Sequence, residues 1–451
     1  EFEVGTSRFM RRFMTQEMNL EKEDMYQIDG PLDMTVFFGF CGIKGYNHLR
    51  YPEAHPHSPW SILELKRTPE TNIFDMIREK DLLIHLPYES FDESVVNFLY
   101  SAANDKDVLA IKQTLYRVSS SSPVVQALEK AVQNGKQVTV LMEVKARFDE
   151  ANNILMARRL EKAGAHVIYG LVGLKTHSKC TLVIRREKDG IRRYVHVATG
   201  NYNASTAKLY TDLGILTCND RFGIDASAFF NLLSGYSDPP IWDSFIVAPI
   251  NLRQRCIELI DREIHFAKNG EDAHMIAKMN SLLDKGIIEK LYEASQAGVK
   301  IELIVRGICV LIPGIPGVSD NITVRSIVGR FLEHSRIFWF RNGGREELYI
   351  SSADWMPRNL NDRVELMVPI EDPEIKRRLK QMVDIELSDN QKAHIMQADG
   401  TWLKTISAEN QLCAQEYFQK IAEKRDAEDE MTLAQKLEPY TPVLGHGDGS
   451  D

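Results

Sequence analysis

Two short segments of the chain place a histidine next to a long cation. Residues 175–179 read KTHSK around His177, and residues 333–336 read EHSR around His334. Both lie in strand-like runs, where alternate side chains point to the same face, so we expect each imidazole beside the cation two residues later. That arrangement suits a histidine that attacks phosphorus while the cation holds the phosphate oxygens. Because the two histidines are 334 − 177 = 157 residues apart, we predict two half-sites that meet in one cleft.

Other cations precede the two motifs at the ends of strand-like runs. They are Lys112, Arg117, Lys145 and Arg147 in the first half and Arg306 in the second. Catalytic groups of α/β proteins gather where strands end, and arginine binds phosphate through several donors at once. A solvated charge explains any one of these residues equally well, but their matched positions together predict phosphate binding. The cations that we assign to phosphate are Lys112, Lys145, Lys179 and Arg336.

The composition is that of a soluble globular protein with more than one domain. The chain has 451 residues, of which 43% are hydrophobic and 26% charged, and that length is enough for about two to four domains. No apolar run approaches the roughly 20 residues that span a bilayer, so we expect no transmembrane segment. The net charge of −9 argues against a nucleic-acid binder, although an acidic protein can hold a local basic site. Six scattered cysteines without a CxxC pair indicate thiols in the reducing cytoplasm.

Strand-like and helical patterns alternate along most of the chain. In the first half we expect helices at 124–136 and 150–165 and strands at 138–144, 166–169, 180–184 and 194–198. The second half repeats this order, because residues 135–141 resemble 298–304 and the polar turn 199–203 has a counterpart at 351–355. This alternation predicts two tandem α/β domains, each with a mixed sheet flanked by helices.

These patterns also suggest the domain boundaries. We predict an N-terminal unit at 1–63, a first α/β domain at 64–245, a second at 246–430 and a disordered tail at 431–451. The chain begins EFEV, without an initiator methionine or a signal-peptide pattern. We therefore expect a piece of a longer cytoplasmic protein.

Five segments together resemble one known family. They are residues 85–91 (HLPYESF), 112–117 (KQTLYR), 145–150 (KARFDE), 176–179 (THSK) and 199–203 (TGNYN). The duplicated histidine motif resembles that of the phospholipase D superfamily. The amino-acid sequences of the five segments are similar to those of the first type of polyphosphate kinase. The resemblance covers roughly residues 1 to 430 and departs from the family pattern at Leu86, where a second histidine is expected. It implies two phospholipase-D-like domains preceded by the remnant of a head domain, with the N-terminal region lacking.

The resemblance also implies an activity and roles for individual residues. The activity is reversible transfer of the ATP γ-phosphate to inorganic polyphosphate, with Mg²⁺ as cofactor. The resemblance implies that His177 is the nucleophile that becomes phosphohistidine and that His334 is a proton donor or a nucleotide contact. It also implies that Tyr210, Arg306 and His334 contact ATP. Arg117 and Arg147 would lie in the vicinity of Mg²⁺. Guanidinium has no lone pair for a metal, so we expect these two arginines to act through phosphate oxygens. The expected partners are ATP, ADP and polyphosphate, not nucleic acid, with a homo-oligomer in the full-length protein and peripheral membrane association as one option.

The chemistry of a phosphohistidine adds two expectations. The attacking nitrogen must be unprotonated, and neighbouring cations favour this by lowering the histidine pKa. A carboxylate often orients the other ring nitrogen, and Asp212 and Glu365 follow the two polar turns at suitable positions.

Two other functions remain open from the sequence. A phospholipase-D-type phosphodiesterase would use the same phosphohistidine, but Arg336 in place of a second lysine and the additional arginines fit a chain of phosphates better. The other alternative is a polyphosphate-binding fragment without catalysis. Diester turnover without nucleotide would identify the first, and polyphosphate binding without a phosphoprotein would identify the second.

Overall fold

The computed structural model describes residues 1–63, 71–119, 121–146, 149–235 and 241–436. The chain divides into two compact units, Glu1–Ala54 and His55–Asp451. In the first unit, strands β1 (Phe2–Glu3) and β2 (Gln27–Ile28) pair in parallel around helix α1 (Arg8–Glu17). This unit ends before the predicted boundary at residue 63, because the peptide N–H of His57 already bonds to the carbonyl of Tyr88 in the second unit, at 2.8 Å.

The first α/β domain contains a mixed sheet. Its described helices are α2 (Ile73–Glu79), α3 (Asn97–Asn104), α4 (Pro123–Gln133), α5 (Glu150–Ala163) and α6 (Asp220–Leu233). Its described strands are β3 (Leu82–Leu86), β4 (Val108–Leu115), β5 (Gln137–Met142), β6 (His166–Tyr169), β7 (Lys175–Thr176), β8 (Cys180–Glu187), β9 (Gly190–Ala198) and β10 (Tyr210–Thr217). Strands β4, β5 and β6 are parallel, and β8, β9, β10 and β3 continue the sheet in antiparallel order.

The second domain repeats this plan. Its described helices are α7 (Leu252–Lys268), α8 (Lys285–Gln296), α9 (Pro357–Asn361), α10 (Pro373–Leu387) and α11 (Ala414–Lys436). Its described strands are β11 (Ile246–Ala248), β12 (His274–Met279), β13 (Lys300–Val305), β14 (Ile322–Ile327), β15 (Leu332–Glu333), β16 (Ile337–Phe340), β17 (Glu347–Ser351), β18 (Arg363–Pro369), β19 (Ala393–Met396) and β20 (Trp402–Lys404). Strands β12, β13 and β14 are parallel, and β16, β17, β18 and β11 follow in antiparallel order.

Local sequence signals set the ends of these elements. Helix α4 begins where the Ser122 side chain accepts a hydrogen bond from the Val125 N–H and Pro123 occupies the first turn. Helix α5 ends at Gly164, whose φ of 105° is a left-handed conformation that glycine adopts without strain. Consecutive strand residues point to opposite faces, and Val140 with Leu141 on β5 and Leu303 with Ile304 on β13 are all buried, so these parallel strands bury both faces.

The predicted fold class, two tandem α/β domains with mixed sheets flanked by helices, is confirmed. The start of the predicted disordered tail at 431 is wrong, because α11 runs to Lys436. The residues from 431 to 436 read MTLAQK and include several strong helix formers, while residues 437–451 lie outside the described part of the chain. Among the described residues, none of the helices combines the length and the apolar composition that a membrane span needs.

Each sheet receives one short strand from the opposite domain. Strand β7 belongs to the first half but pairs in parallel with β18 of the second. Strand β15 belongs to the second half but pairs in parallel with β10 of the first. Since each of these strands immediately precedes a motif histidine, the exchange brings both histidines to the junction of the two domains.

Candidate functional site

Each motif histidine lies in a break between two strands. Strand β7 ends at Thr176 and β8 begins at Cys180, so His177 lies between them, and His334 lies likewise between β15 and β16. The expectation of one continuous strand through each motif is therefore wrong. The break arises because the chain leaves one sheet and enters the other, and the N–H groups of His177 and Ser178 both donate to the carbonyl of Val364 on β18, each at 2.9 Å.

A buried carboxylate from the opposite domain holds each histidine. His177 Nδ1 lies 2.9 Å from both carboxylate oxygens of Glu365, and His334 Nδ1 lies 2.9 Å from both oxygens of Asp212. Asp212 and Glu365 are 4% and 0% exposed, so neither pair is screened by solvent. The sequence pointed to these two carboxylates but not to the crossed pairing, in which each half of the chain orients the histidine of the other.

The environment of His177 favours an unprotonated nucleophilic nitrogen. Burial raises the pKa of Glu365, and the charge of Lys179 and the hydrogen bond from Ser352 oppose this shift. As a carboxylate, Glu365 can only accept hydrogen bonds, and it also accepts from Ser352 Oγ and Asn359 Nδ2, each at 2.5 Å. The Nδ1 of His177 must therefore carry the proton, which leaves the lone pair on Nε2. Burial, followed by the charge of Lys179, lowers the pKa of His177 well below its ordinary value.

The second histidine is also held in its neutral form. Burial lowers the pKa of His334, partly offset by Asp212. Burial alone would raise the pKa of Asp212, but His334, Thr199 and Arg336 hold it below its ordinary value. The Asp212 carboxylate is therefore ionised, and the Nε2 of His334 carries the lone pair.

The cation two residues after each histidine contacts the backbone of that histidine. Lys179 Nζ donates to the carbonyl oxygen of His177, and Arg336 Nη1 donates to that of His334 at 2.7 Å. Arg336 also binds both carboxylate oxygens of Asp354, at 3.1 and 3.2 Å. Burial lowers the pKa of Lys179 to about 7. Lys179, a predicted phosphate-binding residue, does not line the cavity described next, whereas Arg336 does.

A cavity of about 620 Å³ opens between the two domains. Both motif histidines line it, together with Tyr210 and Asn201. Its cationic lining residues are Arg117, Lys175, Arg306, Arg336, Arg358 and Arg363, and its acidic ones are Asp354 and Asp362. This excess of positive charge in a chain with a net charge of −9 makes the cavity suited to a polyanion.

Further contacts fix the wall of the cavity beside His334. Arg306 Nε and Nη2 donate to Asn280 Oδ1 at 3.0 and 2.8 Å, and Asn280 Nδ2 donates to the carbonyl of His334 at 3.1 Å. The ring of Tyr210 lies 5.3 Å from the His334 ring, and the ring of Tyr116 lies 4.9 Å from that of His177. Burial, followed by the charge of Arg336, lowers the pKa of Arg306. Tyr210, Arg306 and His334, the predicted ATP contacts, thus lie on one cavity.

Comparison with known proteins identifies the family. Two family models match: Polyphosphate kinase C-terminal domain 1 over residues 72–239 and Polyphosphate kinase C-terminal domain 2 over residues 245–415. A curated polyphosphate kinase from Halalkalibacterium halodurans is 55% identical over 384 residues, which are 85% of this chain and 54% of that protein. One from Synechocystis sp. is 49% identical over 444 residues, 94% of this chain and 60% of that protein. The chain belongs to the polyphosphate kinase family.

A solved structure of the family has the same fold. The crystal structure of polyphosphate kinase from Porphyromonas gingivalis matches with a TM-score of 0.81 and 35% sequence identity, over 94% of this chain and 64% of that one. The chain spans little more than half the length of the two curated polyphosphate kinases described above.

Not every predicted phosphate-binding residue reaches the cavity. Lys112 lies within β4, three residues before the strand ends, and its Nζ reaches Asn231 on α6 at 3.4 Å. Lys145 is exposed and does not line the cavity. Arg117 follows the end of β4, lines the cavity and pairs with Asp149 at 3.0 Å. The predicted Arg147 lies outside the described residues.

The structure adds two arginines that the sequence reasoning missed, Arg358 and Arg363. The internal repeat contains a signal for Arg363. It precedes Glu365 by two residues, as Tyr210 precedes Asp212, so aligning the two carboxylates places Arg363 opposite a predicted ATP contact. Its charge also helps to lower the pKa of His177.

The described residues contain no group of three or more histidine, cysteine, aspartate or glutamate side chains placed to hold a metal ion. At the cavity, Asp354 is already engaged by Arg336, and Asp212 and Glu365 are engaged by the histidines. A protein-held magnesium site therefore does not fit these residues. A magnesium ion that arrives on the phosphate oxygens of a nucleotide is compatible with them, because Mg²⁺ keeps several waters and few protein ligands.

Proposed function

We propose that this chain transfers the γ-phosphate of ATP reversibly to inorganic polyphosphate, with His177 as the phosphoryl carrier. One observation carries the proposal: a neutral histidine, held through Nδ1 by Glu365, lines a cavity rich in cations. The curated relatives described above are polyphosphate kinases, which supports the same activity.

In the first half-reaction, Nε2 of His177 attacks the γ-phosphorus of ATP. The bond from Nε2 to phosphorus forms as the bond to the β–γ bridging oxygen breaks, and ADP leaves. The imidazole ring then carries a positive charge, which the Glu365 carboxylate offsets at 2.9 Å from Nδ1. Arg336, in the break before β16, and Arg363, at the start of β18, both line the cavity and are placed to neutralise the phosphoryl oxygens.

In the second half-reaction, a terminal oxygen of polyphosphate attacks the phosphorus of phosphohistidine. The nitrogen–phosphorus bond breaks, the polyphosphate grows by one residue and His177 returns to its neutral form. Each step runs in either direction because neither consumes a further reactant. A magnesium ion bound to the nucleotide would supply charge neutralisation at its phosphates.

We assign His334 to the nucleotide side of the cavity, with Tyr210 and Arg306. In the free protein its Nε2 bears the lone pair. A bound polyanion offsets the charge of Arg336, which is one cause of the lowered pKa, and so favours the imidazolium form. The protonated ring can then donate to the leaving oxygen of ADP.

The direct test is phosphoenzyme formation. The protein is incubated with Mg²⁺ and γ-labelled ATP and examined for acid-labile, base-stable label, which is the signature of phosphohistidine. We expect label on the wild type and on an H166A control, since His166 is exposed on β6 away from the cavity. We expect none on H177A. Label that persists in H177A would refute the nucleophile assignment.

The remaining outcomes separate the alternatives. Addition of polyphosphate should discharge the labelled protein into longer polyphosphate, and ADP should discharge it into ATP. Diester hydrolysis without nucleotide would indicate the phosphodiesterase instead. Polyphosphate binding without any label would indicate a binding fragment.

A further inference from the structure

The segment that leads into His334 is clamped by a side chain from helix α11. Gln415 is 3% exposed and lies one residue after the start of that helix. Its Oε1 accepts the Phe331 N–H at 2.9 Å, and its Nε2 donates to the Phe331 carbonyl at 2.8 Å and to Glu333 Oε1 at 2.6 Å. One amide therefore fixes both peptide groups of Phe331 and the side chain that precedes His334.

Glu333 links this clamp to the catalytic pair. Its Oε2 accepts hydrogen bonds from Thr211 Oγ1 at 2.8 Å and from Lys278 Nζ at 2.7 Å. Thr211 Oγ1 in turn accepts the His334 N–H at 3.2 Å. Since Thr211 directly precedes Asp212, the same carboxylate holds the backbone of His334 and the strand that carries its orienting partner.

The cluster is buried, and one lysine lies between two carboxylates. Glu333, Lys278 and Glu386 are 4%, 2% and 3% exposed, and Lys278 Nζ also bonds Glu386 of α10. Loss of one partner in such a cluster leaves a buried polar group unsatisfied. The absence of a side chain at Gly329 also leaves room for Gln415, because a Cβ at Gly329 would lie 2.4 Å from Gln415 Oε1.

The strand before His177 is held differently. There, Glu143 Oε2 accepts the Thr176 N–H at 2.8 Å, and Glu143 belongs to the same domain as His177. The support of His334 instead comes from α11, at the far end of the described chain. The position of α11 is thereby coupled to the geometry of one histidine of the pair.

We infer, on the basis of the role proposed for His334, that Gln415 is a positioning residue for that histidine and acts through Phe331 and Glu333. It touches neither substrate nor the reacting atoms. Its effect on turnover should therefore pass entirely through the placement of His334.

The test compares Gln415→Met with Glu416→Gln. Methionine keeps the length of glutamine without its amide, and Glu416 is an exposed neighbour on the same helix. We expect Gln415→Met to lower kcat by about 10-fold to 100-fold, as displaced supporting groups typically do, and Glu416→Gln to leave kcat unchanged. Thermal unfolding of each variant measures its fold, and Gln415→Asn, which keeps the amide, is the substitute should the methionine variant not fold.

A double-mutant cycle separates positioning from general damage. In a His334→Ala background, Gln415→Met should change the residual rate by less than about 2-fold, because no imidazole remains to be misplaced. An equal loss of rate in both backgrounds would overturn the inference, as would full activity of Gln415→Met.

A second readout does not depend on kinase activity. With ring-labelled histidine, the NMR signals that disappear in His334→Ala identify this residue. Gln415→Met should shift its signals and its titration, and Glu416→Gln should not. Unchanged signals would overturn the inference even in a protein that makes no polyphosphate, whereas absent synthesis by the wild type would contradict only the proposed function.

Discussion

Replacement of Glu365 by glutamine removes one charge from the site while it keeps the shape of the side chain. The amide oxygen can still accept the Nδ1–H of His177, and the side chain stays between Ser352 and Asn359, which donate to the carboxylate at 2.5 Å each. What disappears is the negative charge opposite the ring that becomes cationic on phosphorylation. We therefore expect Glu365→Gln to slow phosphoenzyme formation with little effect on ATP binding.

The geometry gives the size of the effect. With His177 Nδ1 2.9 Å from the carboxylate oxygens, the two charge centres lie roughly 4 Å apart, which is worth about 4 kcal/mol at an effective dielectric constant of about 20. The remaining neutral hydrogen bond recovers about 1 kcal/mol. Glu365 is 0% exposed, so solvent does not screen the loss. A net rise of about 3 kcal/mol in the barrier corresponds to a rate lower by about 10²-fold.

Rapid-quench labelling with γ-labelled ATP measures this rate directly. Glu371→Gln is the matched control, because Glu371 forms an ion pair with Arg221 in which both side chains are at least one-third exposed, and such pairs contribute little. Thermal unfolding shows whether Glu365→Gln still folds. A folded Glu365→Gln protein that is labelled within about 3-fold of the wild-type rate would refute the electrostatic role of Glu365.

Three further outcomes follow from the site. Because the pKa of His177 lies well below its ordinary value, the neutral nucleophile persists as the pH falls, and a pH–rate profile of phosphoenzyme formation should show no loss attributable to His177 as it crosses about 6.5. Gly200→Ala would place a Cβ 2.1 Å from Asp212 Oδ2, so we expect polyphosphate synthesis to fall by about 10²-fold. The control Gly39→Ala, with nothing within 4 Å of its Cβ, should leave the rate of synthesis unchanged. Arg306→Ala should raise the KM for ATP by about 10-fold and the KM for polyphosphate less in steady-state assays; an unchanged KM for ATP would exclude its nucleotide role.

The internal repeat and the two motif histidines could be predicted from the sequence alone, because both depend on local patterns. The alternation of strands and helices follows from periodicity along the chain, and the structure places His177 and His334 on one cavity. The crossed pairing, in which each histidine binds a carboxylate of the other domain, could not be predicted from these local patterns. A contact between His177 and Glu365 joins residues 365 − 177 = 188 positions apart, and nothing in the spacing within either half says which carboxylate meets which histidine.

The assignment of individual cations shows the same limit. Lys112 and Arg117 belong to one motif, yet Lys112 points to α6 from within β4 and Arg117 reaches the cavity from beyond its end. Residues that reach a site at the edge of a sheet are those that follow the strand, since side chains within it face the layers above and below. The prediction that Lys112 lies at the end of a strand is therefore wrong, because Lys112 lies within β4.

The exchange of strands gives a reason for the duplication itself. Strands β7 and β15 each cross to the other sheet directly before a histidine, so each imidazole is oriented by a carboxylate that its own half does not supply. A buried carboxylate without its histidine would be costly, and a buried histidine without its carboxylate would lose its fixed tautomer. Neither half-site is therefore stable as a catalytic unit by itself. The arrangement ties the two histidines, one assigned to carry the phosphoryl group and one to face the nucleotide, to a single geometry that exists only when both domains are docked.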